Sequence, residues 1–328
     1  MEEKDPDELV KKAQKKLDPG FFKSIFSDSG ERIEKAIEYY KEAGEIYKLN
    51  REWIKAGDCF IEIANLKEGL REDPCEMYNE AILCYNKGGA KDKYEKLTDK
   101  IININIKNQE FSNAAELVFE KAQHLLENSK NDQKKAKEIL ELYDQSLDYY
   151  QMDKNTNEHK TNKINEAKAD LIVLNGITEE LIQAKHIYEN LAKYYNKSNS
   201  GKIFSKDYFA KNIFLYLAYD DYITAKAFLN KYYSEDGGLY GSDIGLFLED
   251  IISCFENNGK DIKDDTLGNE ENVILNFDIA CQKYKTKIKF NKKIWDDWKI
   301  YIVDKIGKKL AKLREEKENE YEDEEDLK

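Results

Sequence analysis

Proline is nearly missing from this chain. Pro6, Pro19 and Pro74 are the only three in 328 residues, and glycine numbers 16. An all-β fold needs breakers at short intervals, so this scarcity points to long helices instead. Cysteine is sparse and unordered. Cys59, Cys75, Cys84, Cys254 and Cys281 make an odd count without a CxxC pair. That pattern reads as free thiols in a reducing compartment, not as a disulfide frame. His124, His159 and His186 stand far apart in the chain. They lack the spacing of metal ligands, so neither a metal nor another cofactor is expected. No apolar run approaches the length of about 20 residues that spans a bilayer. The charged first residues are unlike a secretory signal.

Catalytic motifs are missing as well. GxGxxG, GxSxG and HExxH do not occur. Asn199-Ser200-Gly201-Lys202 ends like a phosphate-binding loop, but Asn196 stands where its first glycine belongs. The chain is therefore not expected to be an enzyme. A formal net charge of −13 argues against a broad nucleic-acid surface, and no nucleic-acid partner is expected. What is present is material for a core. Hydrophobic residues make up 41% and aromatic residues 12%, too much for a disordered chain even with 36% charged residues.

The periodicity is helical. Ile33, Ala36, Ile37, Tyr40, Gly44 and Tyr47 recur at steps of three and four on one helical stripe. After a break at Leu49-Asn50, Trp53, Ala56, Phe60, Ile63 and Ala64 form a second stripe. So short a connection makes the two helices antiparallel neighbours. Small residues at Ala43, Gly44, Ala56 and Gly57 allow close approach. Further stripes follow at Tyr78–Tyr85 and Ala114–Ala122. Three later helices around Ala136–Tyr150, Ala184–Tyr195 and Ala225–Tyr233 each open on Ala-Lys and close on tyrosines. Their Ala-to-Ala steps of 48 and 41 residues mark a degenerate repeat. One such hairpin cannot bury its apolar face alone, so neighbours must stack.

The expected fold is therefore all-α: a tetratricopeptide-like solenoid, a twisted sheet of antiparallel helical hairpins, with a C-terminal helical bundle. Hairpins are expected over residues 1–235, a bundle over 236–316 after a glycine-rich passage, and an acidic tail over 317–328. The last long helix is expected from about Asn291 to Glu316, with Trp295, Trp298, Ile302, Ile306, Leu310 and Leu313 on one face.

Three segments stand apart from the core pattern. Phe21, Phe22, Ile25 and Phe26 lie in a loop over 20–29, before a helix that the Asp28/Glu31 spacing starts just after Asp28. The loop either folds back into the core or dips into a bilayer. Burying four such side chains is worth about 6–12 kcal/mol before ordering costs. Lys11, Lys12, Lys15, Lys16 and Lys23 nearby would add about 1 kcal/mol each against anionic lipid. The acidic end is either a solvated tail or a docking motif, in which Leu327 after Asp323-Glu324-Glu325-Asp326 would be an apolar anchor. Lysines including Lys163, Lys168, Lys185, Lys202, Lys206 and Lys211 are either ordinary surface charge or, on a concave face, a surface for an acidic partner.

Together these stretches resemble the soluble NSF attachment proteins, in their alpha form. The likeness is carried by Phe21-Phe22-Lys23-Ser24-Ile25-Phe26, by Ala36-Ile37-Glu38-Tyr39-Tyr40 with Trp53-Ile54-Lys55-Ala56-Gly57, by Ser205-Lys206-Asp207-Tyr208-Phe209, and by Asp323-Glu324-Glu325-Asp326-Leu327-Lys328. It spans essentially the whole chain in order and spacing. The resemblance implies a cytoplasmic, peripherally membrane-associated adaptor. Such an adaptor coats a four-helix SNARE complex of the syntaxin-like kind and recruits and stimulates the hexameric NSF ATPase. It implies membrane contact through Phe21, Phe22, Ile25 and Phe26, NSF binding through Asp323, Glu324, Glu325, Asp326 and Leu327, and a basic SNARE-binding face. One lysine of that face aligns with Lys163, with Lys168, Lys202 and Lys206 as neighbours. The other falls near Glu116, where the charge is reversed. A helical-repeat scaffold subunit of another assembly would explain the hairpins, but not the loop and the leucine-ended tail together.

Overall fold

The computed structural model describes residues 5–18, 29–127, 132–154, 157–235, 238–257, 262–263, 274–289 and 291–326, with backbone alone at 29, 133, 262–263, 274–275 and 317–326. Fourteen α-helices account for most of these residues. In chain order they are α1 (Pro6–Leu17), α2 (Ser29–Leu49), α3 (Trp53–Gly69), α4 (Cys75–Lys87), α5 (Lys91–Lys107), α6 (Phe111–Glu127) and α7 (Gln133–Met152). After them come α8 (Glu158–Leu174), α9 (Leu181–Asn196), α10 (Lys202–Tyr219), α11 (Tyr222–Ser234), α12 (Asp243–Glu256), α13 (Phe277–Lys287) and α14 (Asp297–Asp326). The one departure from an all-α chain among the described residues is a two-residue antiparallel pair, with Ile262 opposite Leu275.

The chain divides into two compact units. One holds residues 1–128 and 144–156, the other 129–143 and 157–328. In the first, α1 packs on α2, and α2, α3 and α4 pack in succession. The stripes meet as their spacing requires: Ala36, Tyr40, Ala43 and Tyr47 of α2 and Ala56, Phe60, Ile63 and Ala64 of α3 are all buried. Their neighbours Tyr78, Ala81 and Tyr85 come from α4.

The turns that join these helices share one backbone design. After α2, Arg51 adopts a φ of 62°, its N–H donates to the Lys48 carbonyl, and the Glu52 N–H reaches back to Tyr47. Arg71, Gly89, Gln109 and Gly176 repeat the left-handed residue and both bonds after α3, α4, α5 and α8. These reciprocal bonds satisfy carbonyls that a helix end leaves orphaned and reverse the chain within a few residues.

In the second unit α10 is the central helix. It packs against α9, α11, α12 and α14, which explains why its residues from Tyr208 to Leu215 are buried without a polar face. Phe214, Phe247, Tyr284 and Trp298 fill the space between these helices, with Phe247 and Tyr284 stacked at 4.5 Å. The helices on either side of residue 235 thus share one core. The final helix begins later than its apolar spacing predicts. Asn291 accepts from Lys293 in a turn, and Asp296 caps the helix by accepting from the Lys299 N–H at 2.8 Å. It also ends later. Beyond Gly307 no glycine or proline interrupts the Glu- and Lys-rich sequence, and the helix runs through the acidic stretch to Asp326.

Candidate functional site

The cysteines carry no reactive site. All five are free, and four are buried with Cys75 half-buried. Burial pushes the Cys59 and Cys281 thiols up to about 12 and those of Cys75 and Cys254 to about 11, which keeps them protonated and poor nucleophiles. Among the described residues no group of three or more His, Cys, Asp or Glu side chains could hold a metal. The phosphate-loop-like Gly201 has a structural reason. A Cβ there would lie 2.0 Å from the Tyr195 carbonyl oxygen, and the Gly201 N–H donates to Ser198 Oγ at 3.1 Å.

The lysines expected on one basic face divide into two groups. Lys163 is exposed on α8, and Lys202 and Lys206 are half-buried in the first turns of α10. The positive end of the α10 dipole lies at those same turns, so both lysines add to a field of their own sign. Lys168 does not belong to this surface. It is only 4% exposed, and its Nζ lies 3.1 Å from the side-chain amide of Gln183, which in the orientation that satisfies both ends accepts from Lys168 and donates to Glu180. A period of three to four from the α8 core residue Ile164 turns Lys168 inward, and the Gln183 contact makes its burial tolerable. Lys211 is likewise internal, where its Nζ donates to Asp170 at 2.6 Å. Lys185 pairs with Asp220.

Beside Lys202 the sequence reading missed two residues. Ile203 is 64% and Phe204 55% exposed, in the first turn of α10 ahead of buried Tyr208 and Phe209. Phe204 leans on Tyr195 at 5.6 Å. Asp207 stands between Lys206 and this core. Burial pushes its carboxyl upward, against the charges of Lys299, Lys206 and Lys211.

The remaining candidate residues lie at the ends. Asp323, Glu324, Glu325 and Asp326 form the last turn of α14. There the negative end of the helix dipole reinforces their charge instead of offsetting it. Leu327 lies outside the described residues, as do Phe21, Phe22, Ile25 and Phe26. Glu116 is half-buried on α6, in the first unit. No described helix is long and apolar enough to cross a membrane.

Comparison with known proteins gives these features a common context. The family model described as soluble NSF attachment protein, SNAP, matches residues 4–311. The alpha-soluble NSF attachment protein of Saccharomyces cerevisiae is 28% identical over 316 residues, covering 95% of this chain and 99% of that protein. The vesicular-fusion protein SEC17 of Komagataella phaffii is 32% identical over 234 residues, 70% of this chain and 76% of its own length. The human alpha-soluble NSF attachment protein is 26% identical over 228 residues, 68% of this chain and 73% of its own.

Proposed function

The chain belongs to the soluble NSF attachment protein family, and we propose on that footing that it is an adaptor for SNARE disassembly in vesicle trafficking. It binds assembled SNARE complexes, recruits the NSF ATPase and stimulates it to pull them apart. The adaptor supplies no chemistry of its own. The observation that carries this reading is the family match over residues 4–311.

Three contacts divide the work. Lys163, Lys202 and Lys206 meet the acidic surface of the four-helix SNARE bundle, where opposite charge speeds encounter and fixes register. Lys168 supports this face from within. The carboxylates Asp323 to Asp326, presented at a negative helix end, dock on basic grooves of NSF, and Leu327 anchors the contact. Phe21, Phe22, Ile25 and Phe26 enter the lipid surface of the cytoplasmic leaflet, so attachment is peripheral and reversible. Glu116 stands where the resemblance implies a second lysine, so this face draws its charge from Lys163, Lys202 and Lys206.

The test is reconstitution. The chain, assembled SNARE complex and NSF locked with a non-hydrolysed ATP analogue should co-sediment as a ternary complex, and NSF should not join the SNAREs without the chain. Leu327→Ala should keep SNARE binding and lose ATPase stimulation. If no ternary complex forms, the chain is a helical scaffold for some other assembly.

A further inference from the structure

The first unit carries an open groove of about 770 Å³ walled by α4 and α6 and floored by the second half of α5. Its apolar surface comes from Ile82, Leu83, Ile101, Ile104 and Leu117. Leu83 is 53% exposed, although its neighbours in the groove are buried or half-buried. The rim is acidic. Among the described residues, Glu72, Asp73, Glu110, Glu116 and Glu120 line it with one cation, Arg71. Nearby lysines turn elsewhere: Lys100 pairs with Glu68 and Lys121 with Asp99. Asn105, 4% exposed, lines the floor and brings a side-chain amide to the groove.

We propose that this groove docks a basic amphipathic helix of a partner protein. Its apolar stripe lies on Leu83, Ile104 and Leu117, its lysines or arginines face the rim carboxylates, and a polar side chain between them meets Asn105. The sign of the rim selects the occupant. An acidic helix would face five carboxylates across a short distance, whereas a basic helix pairs with them at every turn. The groove is thus opposite in charge to the lysine face on α8 and α10 and takes a different ligand surface. The proposal does not depend on the SNARE reading.

The probe is a fluorescein-labelled synthetic helix of about four turns with leucines on one stripe and lysines flanking them, titrated with the full chain in an anisotropy assay. Saturable one-to-one binding is expected, and the same peptide with glutamate for lysine should not bind. Glu116→Gln with Glu120→Gln should weaken binding by about tenfold at low salt and less at high salt. Leu83→Ser should weaken it about fivefold while leaving the melting temperature unchanged. Glu34→Gln with Glu38→Gln removes the same charge from exposed positions on α2 and should change nothing. Equal loss in that control would overturn the proposal by making binding a net-charge effect. So would unsaturable binding, or a self-association abolished by the groove variants, which would assign the groove to a second copy of the chain.

Discussion

Lys211 Nζ on α10 and the hydroxyl of Tyr188 on α9 donate to the same oxygen, Asp170 Oδ1 on α8, each at 2.6 Å. The lysine is 7% exposed and packs between two rings, 5.2 Å from Tyr188 and 5.1 Å from Trp298. One carboxylate therefore ties three helices of the second unit, and α14 closes over the pair. Lys211→Met should cost about 2 kcal/mol, below the full cost of breaking a buried pair because Asp170 keeps some contact with water. Urea denaturation checks it. Lys211→Met with Asp170→Leu should recover part of the loss, and a single-variant loss under about 0.5 kcal/mol would show a pair already screened by solvent.

Acid should loosen the first helix. Tyr47 donates to the Asp7 carboxylate, and Lys55 lies 3.6 Å from it, so α1 is held to α2 and α3. The Tyr47 hydrogen bond, with help from Lys55, holds the Asp7 carboxyl below its ordinary 3.8. A group depressed in the folded state stabilises fully above its unfolded value and loses that contribution as pH falls through the folded one. Wild type should melt above Asp7→Asn at about pH 6, and the gap should narrow as pH falls below 3.8. A constant gap across that range would place the effect of Asp7→Asn outside this ionisation.

Close approach of α3 and α4 should not tolerate a methyl group. A Cβ on Gly57 would lie 2.6 Å from Tyr85 Cε1, and Tyr85 is fixed by its bond to Asp58 at 2.7 Å. Gly57→Ala should therefore cost about 1–3 kcal/mol despite the helix propensity gained. Gly44 is looser, with its nearest contact 3.2 Å away at Phe60 Cζ, so Gly44→Ala should be nearly neutral. Paired thermal melts test the contrast. Equal effects would mean that the Tyr85 ring swings clear.

The hairpins of the first unit were legible because one side of each helix is buried and the other wet, so Tyr40, Tyr47, Phe60 and Ile63 recur at helical spacing. The turns between them were less so. Arg51, Arg71 and Gln109 take a left-handed conformation that sequence normally advertises with glycine. The lysines misled for a related reason. Lys168 and Lys211 are charged at core positions, and only their partners Gln183 and Asp170, remote in sequence, reveal it. α10 is buried on nearly every side and shows little periodicity by which Ile203 and Phe204 would stand out.

The apolar loop should matter only where lipid is present. Phe21→Ser with Phe22→Ser removes at least enough apolar burial to slow disassembly about tenfold on liposomes. Disassembly of the same SNARE complexes in detergent solution should keep its wild-type rate, because no bilayer raises the adaptor's local concentration there. Equal loss in both assays, with a lower melting temperature, would place the phenylalanines in the core.

Burial should decide which lysines matter for SNARE binding and how. Lys163, Lys202 and Lys206 reach the surface, so Lys163→Glu and the pair Lys202→Glu with Lys206→Glu should leave the melting temperature within about 1 °C of wild type. Each should weaken binding to assembled SNARE complex at low salt, the pair by about tenfold, and the deficit should shrink as salt screens the contact. Lys168→Glu should behave in the opposite way. It places a carboxylate in a buried site beside Gln183 and Glu180, so it should lower the melting temperature and reduce binding by the same factor at every salt concentration. Binding isotherms at two ionic strengths, read beside thermal melts, separate the two cases. If Lys163→Glu gave the salt-independent, destabilised pattern, its effect would be misfolding and the acidic partner would have to be met elsewhere. If Lys168→Glu kept its fold and lost binding only at low salt, the inward placement of Lys168 would be wrong and the basic face would extend along α8.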